Sequence, residues 1–240
     1  MVMLQIKNFG KRFTIHHLGK TMQAVEHINF SLEQGEFVGI VGKSGSGKST
    51  ILKSIYRTYL PDTGNIIYHS KRYGLIDLAY ATEREILYLR KHEIGYVSQF
   101  LNVMPRTTSR ELVEKALLEM GETEEAAQKE AEKALRHFEL DRNLWDTYPN
   151  TFSGGEKLRL NIAMATVKKP RLLLLDEPTA SLDQESKVKV REIIEKLKAS
   201  GTTLVGIFHD IEFMDGLCDQ VFDMKFSQLQ PVKEGVIREG

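Results

Sequence analysis

Short apolar runs alternate along this chain with segments of helical period, a pattern that predicts an α/β fold with a largely parallel core sheet. "FVGIVG" (37–42) predicts a buried strand running into a glycine-rich loop. "KSTILKSIYRTYL" (48–60) predicts the following helix, stopped by Pro61 and the turn "PDTG". "RLLLLDEP" (171–178) and "TTLVGIFHD" (202–210) predict two further buried strands. Between them, "QESKVKVREIIEKLKAS" (184–200) predicts a helix with Val188, Ile193, Ile194 and Leu197 on its buried face and Gly201 as its stop.

The stretch from about 100 to 168 breaks this rhythm. It is rich in Glu, Lys and Ala, with helical patterns at 109–120, 123–138 and 155–168. This reads as a helical subdomain, residues 99–168, set into an α/β core made of 1–98 and 169–240. Its most charged run still carries an apolar face, at Ala127, Ala131, Ala134, Leu135 and Phe138, so an amphipathic helix is expected rather than an acidic tail. No internal repeat or low-complexity tract is visible, and 240 residues suit one large domain.

Charge excludes some partners. Lysine plus arginine number 33, as do aspartate plus glutamate, so no whole-protein field points at nucleic acid or an anionic membrane. A single cysteine, Cys218, cannot form an internal disulfide and fits a reducing cytoplasm. Lys7 interrupts the first apolar run before a signal-peptide core can form, and no stretch of about 18 apolar residues is present to span a bilayer. A membrane role would therefore require another subunit.

The loop "GKSGSGKST" (42–50) spends three glycines in nine positions. Gly42, Gly47, Lys48 and Ser49 satisfy G-x-x-x-x-G-K-[ST], with a strand before and a helix after. Glycines let the backbone N–H groups of Lys43, Ser44, Gly45, Ser46 and Thr50 converge on phosphate oxygens at a helix N-terminus. Lys48 is expected to neutralise β- and γ-phosphate oxygens, and Ser49 to supply a hydroxyl to Mg²⁺. At the end of the leucine strand, Asp176 is expected to hold that metal and Glu177 to polarise the attacking water. His209, past the third strand, is expected at the same sheet edge as a γ-phosphate sensor. Ser153, Gly154, Gly155 and Glu156 open a second anion-binding helix terminus, one more than a single triphosphate needs.

On "FSGGEKLRLNIA" (152–163) and the paired phosphate motifs, the chain resembles the ATP-binding cassette family. The resemblance spans about residues 1–225 and implies a P-loop fold with an N-terminal antiparallel β subdomain and an inserted helical subdomain. It implies ATP and Mg²⁺ as cofactors and a head-to-tail dimer, with itself or a paralogous cassette, in which one chain's signature caps the other's γ-phosphate. By the same resemblance Gln99 is the Q-loop glutamine, acting in catalysis and at the metal. Ser181 and Asp183 belong to the D-loop, His209 is the switch histidine, and Phe13 stacks on adenine. His16 and His17, which follow Phe13 closely, have no Cys or carboxylate at ligand spacing and read as surface residues. "EKLR" stands where relatives often have "EQQR", though Arg159 is retained, and Phe152 stands where leucine is usual.

The load is addressed by "YLPDTG" (59–64), "VSQFLNVMPR" (97–106) and "VGIFHD" (205–210). Together these resemble the L-type ATP-binding proteins of the bacterial carbon–phosphorus lyase system, the PhnL family. That resemblance implies ATP hydrolysis in service of soluble lyase subunits, at the step that joins a phosphonate to ribose and releases adenine. No additional base or nucleophile for that exchange is visible. The alternative is the motor of a membrane transporter of lipoprotein-release or macrolide-export type, and the expected partners include no nucleic acid. In "QFLNVMPR", Phe100, Leu101, Val103 and Met104 are expected to divide between packing and an exposed docking patch.

Overall fold

The computed structural model describes residues 1–15, 19–101, 104–180, 182–208 and 211–231. His16, His17, Val103, Ser181 and His209 lie outside these described residues. The described residues form two sheets. The first is antiparallel and contains β1 (Val2–Ile15), β2 (Lys20–Glu33), β4 (Thr63–Ser70) and β5 (Gly74–Asp77), in the order β2-β1-β4-β5.

The second sheet contains β3 (Phe37–Val41), β6 (Ile94–Val97), β7 (Leu172–Asp176), β8 (Thr203–Ile207), β9 (Gln220–Asp223) and β10 (Gln228–Pro231). Its order is β10-β9-β3-β8-β7-β6, parallel from β9 to β6 with β10 antiparallel at one edge. The expected α/β class is therefore what the chain adopts. The loops after β3, β6, β7 and β8 all leave from the carboxyl edge, which is how motifs more than a hundred residues apart become neighbours.

The core sheet is buried on both faces. Leu172, Leu173, Leu174 and Leu175 are wholly inaccessible and alternate between two clusters. Leu173 and Leu175 face the helical side, whereas Leu172 and Leu174 face the antiparallel sheet and the helix α1 (Lys48–Ile55). Such two-sided burial is why the strand reads as an unbroken leucine run.

Two helices depart from their expected forms. The pattern "KSTILKSIYRTYL" continues to residue 60, but α1 ends at Ile55. Arg57 turns left-handed at φ 64, and the amides of Thr58 and Tyr59 both return to Lys53 O. The Arg57 guanidinium holds that turn by donating to the carbonyls of Leu78, Ala79 and Ala81. In α6 (Gln184–Ala199) the buried residues are Val190, Ile193 and Ile194, while Val188 is exposed. At 3.6 residues per turn Val188 lies about 160° around the helix from Val190, so it cannot share that face.

The helical subdomain holds α3 (Ser109–Leu118), α4 (Glu124–His137) and α5 (Gly154–Thr166). Thr108, Thr123 and Ser153 cap the three N-termini through their hydroxyls. The predicted face of α4 packs inward at Ala127, Ala131 and Leu135, with Phe138 just beyond. Trp145 fills the subdomain's centre, its indole N–H donating to Leu140 O at 2.9 Å. Among the described residues no helix is long and apolar enough to cross a membrane.

Glu93, between α2 (Glu83–His92) and β6, joins the two sheets. Its buried carboxylate accepts from Tyr68 Oη (3.1 Å), Ser70 Oγ (2.8 Å) and the amide of Lys71 (3.0 Å), with Arg171 Nη1 at 3.6 Å. Removing it orphans donors from both sides. Glu93→Ala should cost about 2–4 kcal/mol, between one orphaned buried hydrogen bond and a broken buried ion pair. Urea unfolding measures this, and a loss below about 1 kcal/mol would mean that water replaces the carboxylate.

Candidate nucleotide-binding site

The glycine loop connects β3 to α1, and its path depends on backbone only glycine adopts readily. Gly47 takes φ 91 at the N-cap of α1 and presses on β2. A Cβ there would lie 2.3 Å from Val25 Cγ1 and 2.6 Å from Ala24 O. Lys48 is nearly buried, and its ammonium donates to Gly42 O at 2.8 Å and Lys43 O at 3.1 Å. Burial lowers the Lys48 pKa, and the charges of Glu177 and Asp176 oppose that shift. The Ser46 hydroxyl is buried with no hydrogen-bond partner among the described residues. A buried hydroxyl and an ammonium held over loop carbonyls, at a helix N-terminus, fit a bound phosphate chain.

The metal-binding candidates meet across 127 residues of sequence. Ser49 Oγ donates to Asp176 Oδ1 at 2.9 Å, so the first turn of α1 touches the end of β7. Hydroxyl and carboxylate together form the hard oxygen set that Mg²⁺ prefers, completed by phosphate and water. Asp176 is buried, and Tyr96 Oη donates to its second oxygen, Oδ2, at 2.6 Å. Burial, and then this hydrogen bond to Asp176, pushes the Tyr96 phenol far above the ordinary tyrosine range, so it remains a donor. Nothing in the sequence distinguished Tyr96 from an ordinary strand aromatic.

Glu177 follows in the left-handed region at φ 51. For a non-glycine residue that conformation costs of order 1–3 kcal/mol and is typical of functional positions. A cavity of about 180 Å³ lies alongside, bordered by Glu177, Gln99, Gly154, Lys157, Pro178 and Leu182 among others. Gln99 is exposed in the bend after β6. The structure thus brings Gln99, Glu177 and the start of the signature helix to one cavity.

The signature itself is a reciprocal cap. Glu156 N donates to Ser153 Oγ at 3.3 Å, and Ser153 N donates to Glu156 Oε2 at 2.7 Å. Ser153 and Gly154 are exposed, while Gly155 is buried against α6, where a Cβ would lie 2.5 Å from Ser186 Oγ. Asp183 caps α6, accepting from Ser186 N at 2.8 Å. That bond holds its carboxyl below the usual aspartate range. Asn161, buried in α5, donates to Ser98 O at 2.9 Å and ties the signature helix to the strand that leads to Gln99. A polar residue on a buried helix face was the available signal for it.

Phe13 is half-buried on β1, its ring edge-on to Tyr59 at 5.0 Å with Lys11 Nζ 5.5 Å from its centroid. Alternation along β1 puts Lys11 and Phe13 on one face, and Lys11 pairs with Val25, the residue that contacts Gly47. Phe13 therefore stands on the loop side of its sheet.

Gly47→Ala should destabilise the fold by about 1–3 kcal/mol through backbone strain and overlap with β2. It should also abolish the rise in melting temperature on adding ATP. A variant that keeps both stability and the ATP-dependent rise would show that the loop reaches its shape without this glycine.

Comparison with known proteins agrees with this geometry. The family model described as ABC transporter matches residues 25–180. The L-cystine import ATP-binding protein TcyN of Bacillus subtilis is 34% identical over 237 residues, covering 99% of this chain and 85% of TcyN. The lipoprotein-releasing system ATP-binding protein LolD of Aquifex aeolicus is 34% identical over 203 residues, covering 85% of this chain and 88% of LolD. Among solved structures, the dimeric post-hydrolysis state of the ATP-binding cassette MJ0796, bound to ADP and Pi, superimposes with a TM-score of 0.86. It is 29% identical and covers 96% of this chain and 99% of that one. With a glycine loop, a carboxylate pair and a capped signature helix arranged on the same fold, the chain belongs to the ABC transporter family as one of its MgATP-hydrolysing cassettes.

Proposed function

We propose that the chain is the motor subunit of a larger machine and hydrolyses MgATP at sites shared between two cassettes. The observation that carries this reading is the Ser49–Asp176 hydrogen bond, which joins loop and strand end with Glu177 one residue beyond. Lys48 and the loop amides bind the phosphates. Glu177 accepts a proton from the water that attacks the γ-phosphorus, the bond to the β–γ bridging oxygen breaks, and ADP and phosphate result. Ser49, Asp176 and Gln99 would hold Mg²⁺, which would supply positive charge to offset the negative charge on the phosphate oxygens. Phe13 receives the adenine. Ser153, Gly154, Gly155 and Glu156 serve the partner's ATP, with Ser181 and Asp183 as D-loop residues and His209 as the γ-phosphate sensor. The exposure of Ser153 and Gly154 supports that use, and the solved MJ0796 cassette is dimeric.

The partner is expected beside the Q-loop. Leu101 packs on the core, whereas Phe100 and Met104 are 65% and 58% exposed. Met104 borders a groove of about 320 Å³ between core and helical subdomain, with Tyr56, Leu112 and Met164 on its walls and Arg90, Lys115 among its cations. A short apolar segment with acidic ends fits it. The relatives named for cystine import and lipoprotein release favour a transmembrane permease as the donor of that segment. A second reading rests on "YLPDTG", "VSQFLNVMPR" and "VGIFHD", which favour a soluble carbon–phosphorus lyase subunit in the same groove.

Glu177→Gln should retain ATP affinity, lower turnover by roughly 10²–10⁴-fold and trap an ATP-bound dimer by size exclusion. Normal steady-state hydrolysis would remove Glu177 from the proposed role. Met104→Asp combined with Arg106→Ala should weaken capture of the partner and leave ATP affinity unchanged. Capture of a permease from detergent-solubilised membranes supports the transporter reading. Capture of phosphonate-lyase subunits from soluble lysate overturns it in favour of the second.

A further inference from the structure

Asp176 sits between two hydroxyls. Ser49 reaches Oδ1 from α1, and Tyr96 reaches Oδ2 from β6, the neighbouring strand in the sheet. A single donor leaves a carboxylate free to turn about its last torsion, whereas donors on opposite oxygens fix its plane. The phenol is itself held. The Tyr96 ring packs on Tyr56 with centroids 4.9 Å apart, and the Arg90 guanidinium covers Tyr56 at 4.6 Å while its Nε donates to Tyr56 O at 2.9 Å. The Tyr96 oxygen therefore has little freedom to leave Asp176.

We propose that Tyr96 is a positioning residue for the metal: its hydroxyl fixes the plane of Asp176, so that the carboxylate meets the cation already aligned with Ser49. This rests on the reading of Asp176 as the metal carboxylate. Partners outside the coordinating set commonly govern metal affinity in this way, because a ligand that must first be ordered binds more weakly. Tyr96 lies in β6, three residues before Gln99 in the bend that follows, and borders the partner groove, so the metal carboxylate is supported from the element nearest the partner.

The test uses Mn²⁺ as the probe, in the presence of ADP, with free Mn²⁺ read by its electron paramagnetic resonance signal. Tyr96→Phe keeps the ring on Tyr56 and removes only the hydroxyl. It should weaken Mn²⁺ about tenfold, the lower end of the range for lost outer partners. ADP affinity in EDTA should stay at the wild-type value. Asp176→Asn serves as reference and should lose Mn²⁺ more severely. If Tyr96→Phe binds Mn²⁺ like the wild type while Asp176→Asn does not, the role of Tyr96 is wrong and that of Asp176 stands. If Asp176→Asn also binds normally, both fail. Loss of ADP affinity in EDTA by Tyr96→Phe would show that the hydroxyl supports the fold, and this too overturns the proposal.

Discussion

The contact between the start of α1 and the end of β7 is the constraint around which the molecule is arranged. Ser49 and Asp176 are distant in sequence, and their strands are not adjacent, since β8 lies between β3 and β7. For the hydroxyl to reach the carboxylate, β7 and β8 must hold their parallel register, Leu174 beside Val205 and Asp176 beside Ile207. Residues buried on both sheet faces enforce that register, because a one-residue slip would exchange the two clusters. The chemistry at the edge is thus fixed by packing several residues below it.

Much of the site was legible because its chemistry needs residue types that local pattern exposes. Glycines crowded before a lysine, and carboxylates at the end of a leucine run, announce themselves. The class of fold and the helical subdomain followed from periodicity. Other parts depended on partners that periodicity cannot name. Arg57 ends α1 by donating to carbonyls more than twenty residues away, and an arginine in a helical pattern ordinarily argues for continuation. Val188 is apolar yet faces solvent, because its angle around α6 sets it opposite the buried Val190. Tyr96 and Glu93 act through tertiary hydrogen bonds, and neither belongs to a local motif.

Two kinds of polar group are buried here, with different consequences. Glu93 is met by hydroxyls, amides and a guanidinium, so it joins the sheets at little electrostatic cost. Around the glycine loop the Ser46 hydroxyl has no partner among the described residues, and the Lys48 ammonium donates to two main-chain oxygens. The fold accepts that deficit at the place where a polyanion supplies what is lacking, in keeping with a P-loop cassette of this family.

Asn161 sets a mechanical limit on the helical subdomain. Its amide grips a main-chain oxygen, Ser98 O, so the anchor does not depend on which side chain stands at 98. If the subdomain swings, this bond is a natural fulcrum, with the signature end of α5 as the moving tip. Ser153 lies eight residues from Asn161. At 1.5 Å per residue the lever arm is about 12 Å, and a tilt of about 10° would carry the tip by about 2 Å. A displacement of that size is comparable to the difference between a hydrogen bond made and one broken, so a modest rotation is enough to bring the tip into or out of reach of a phosphate across a junction.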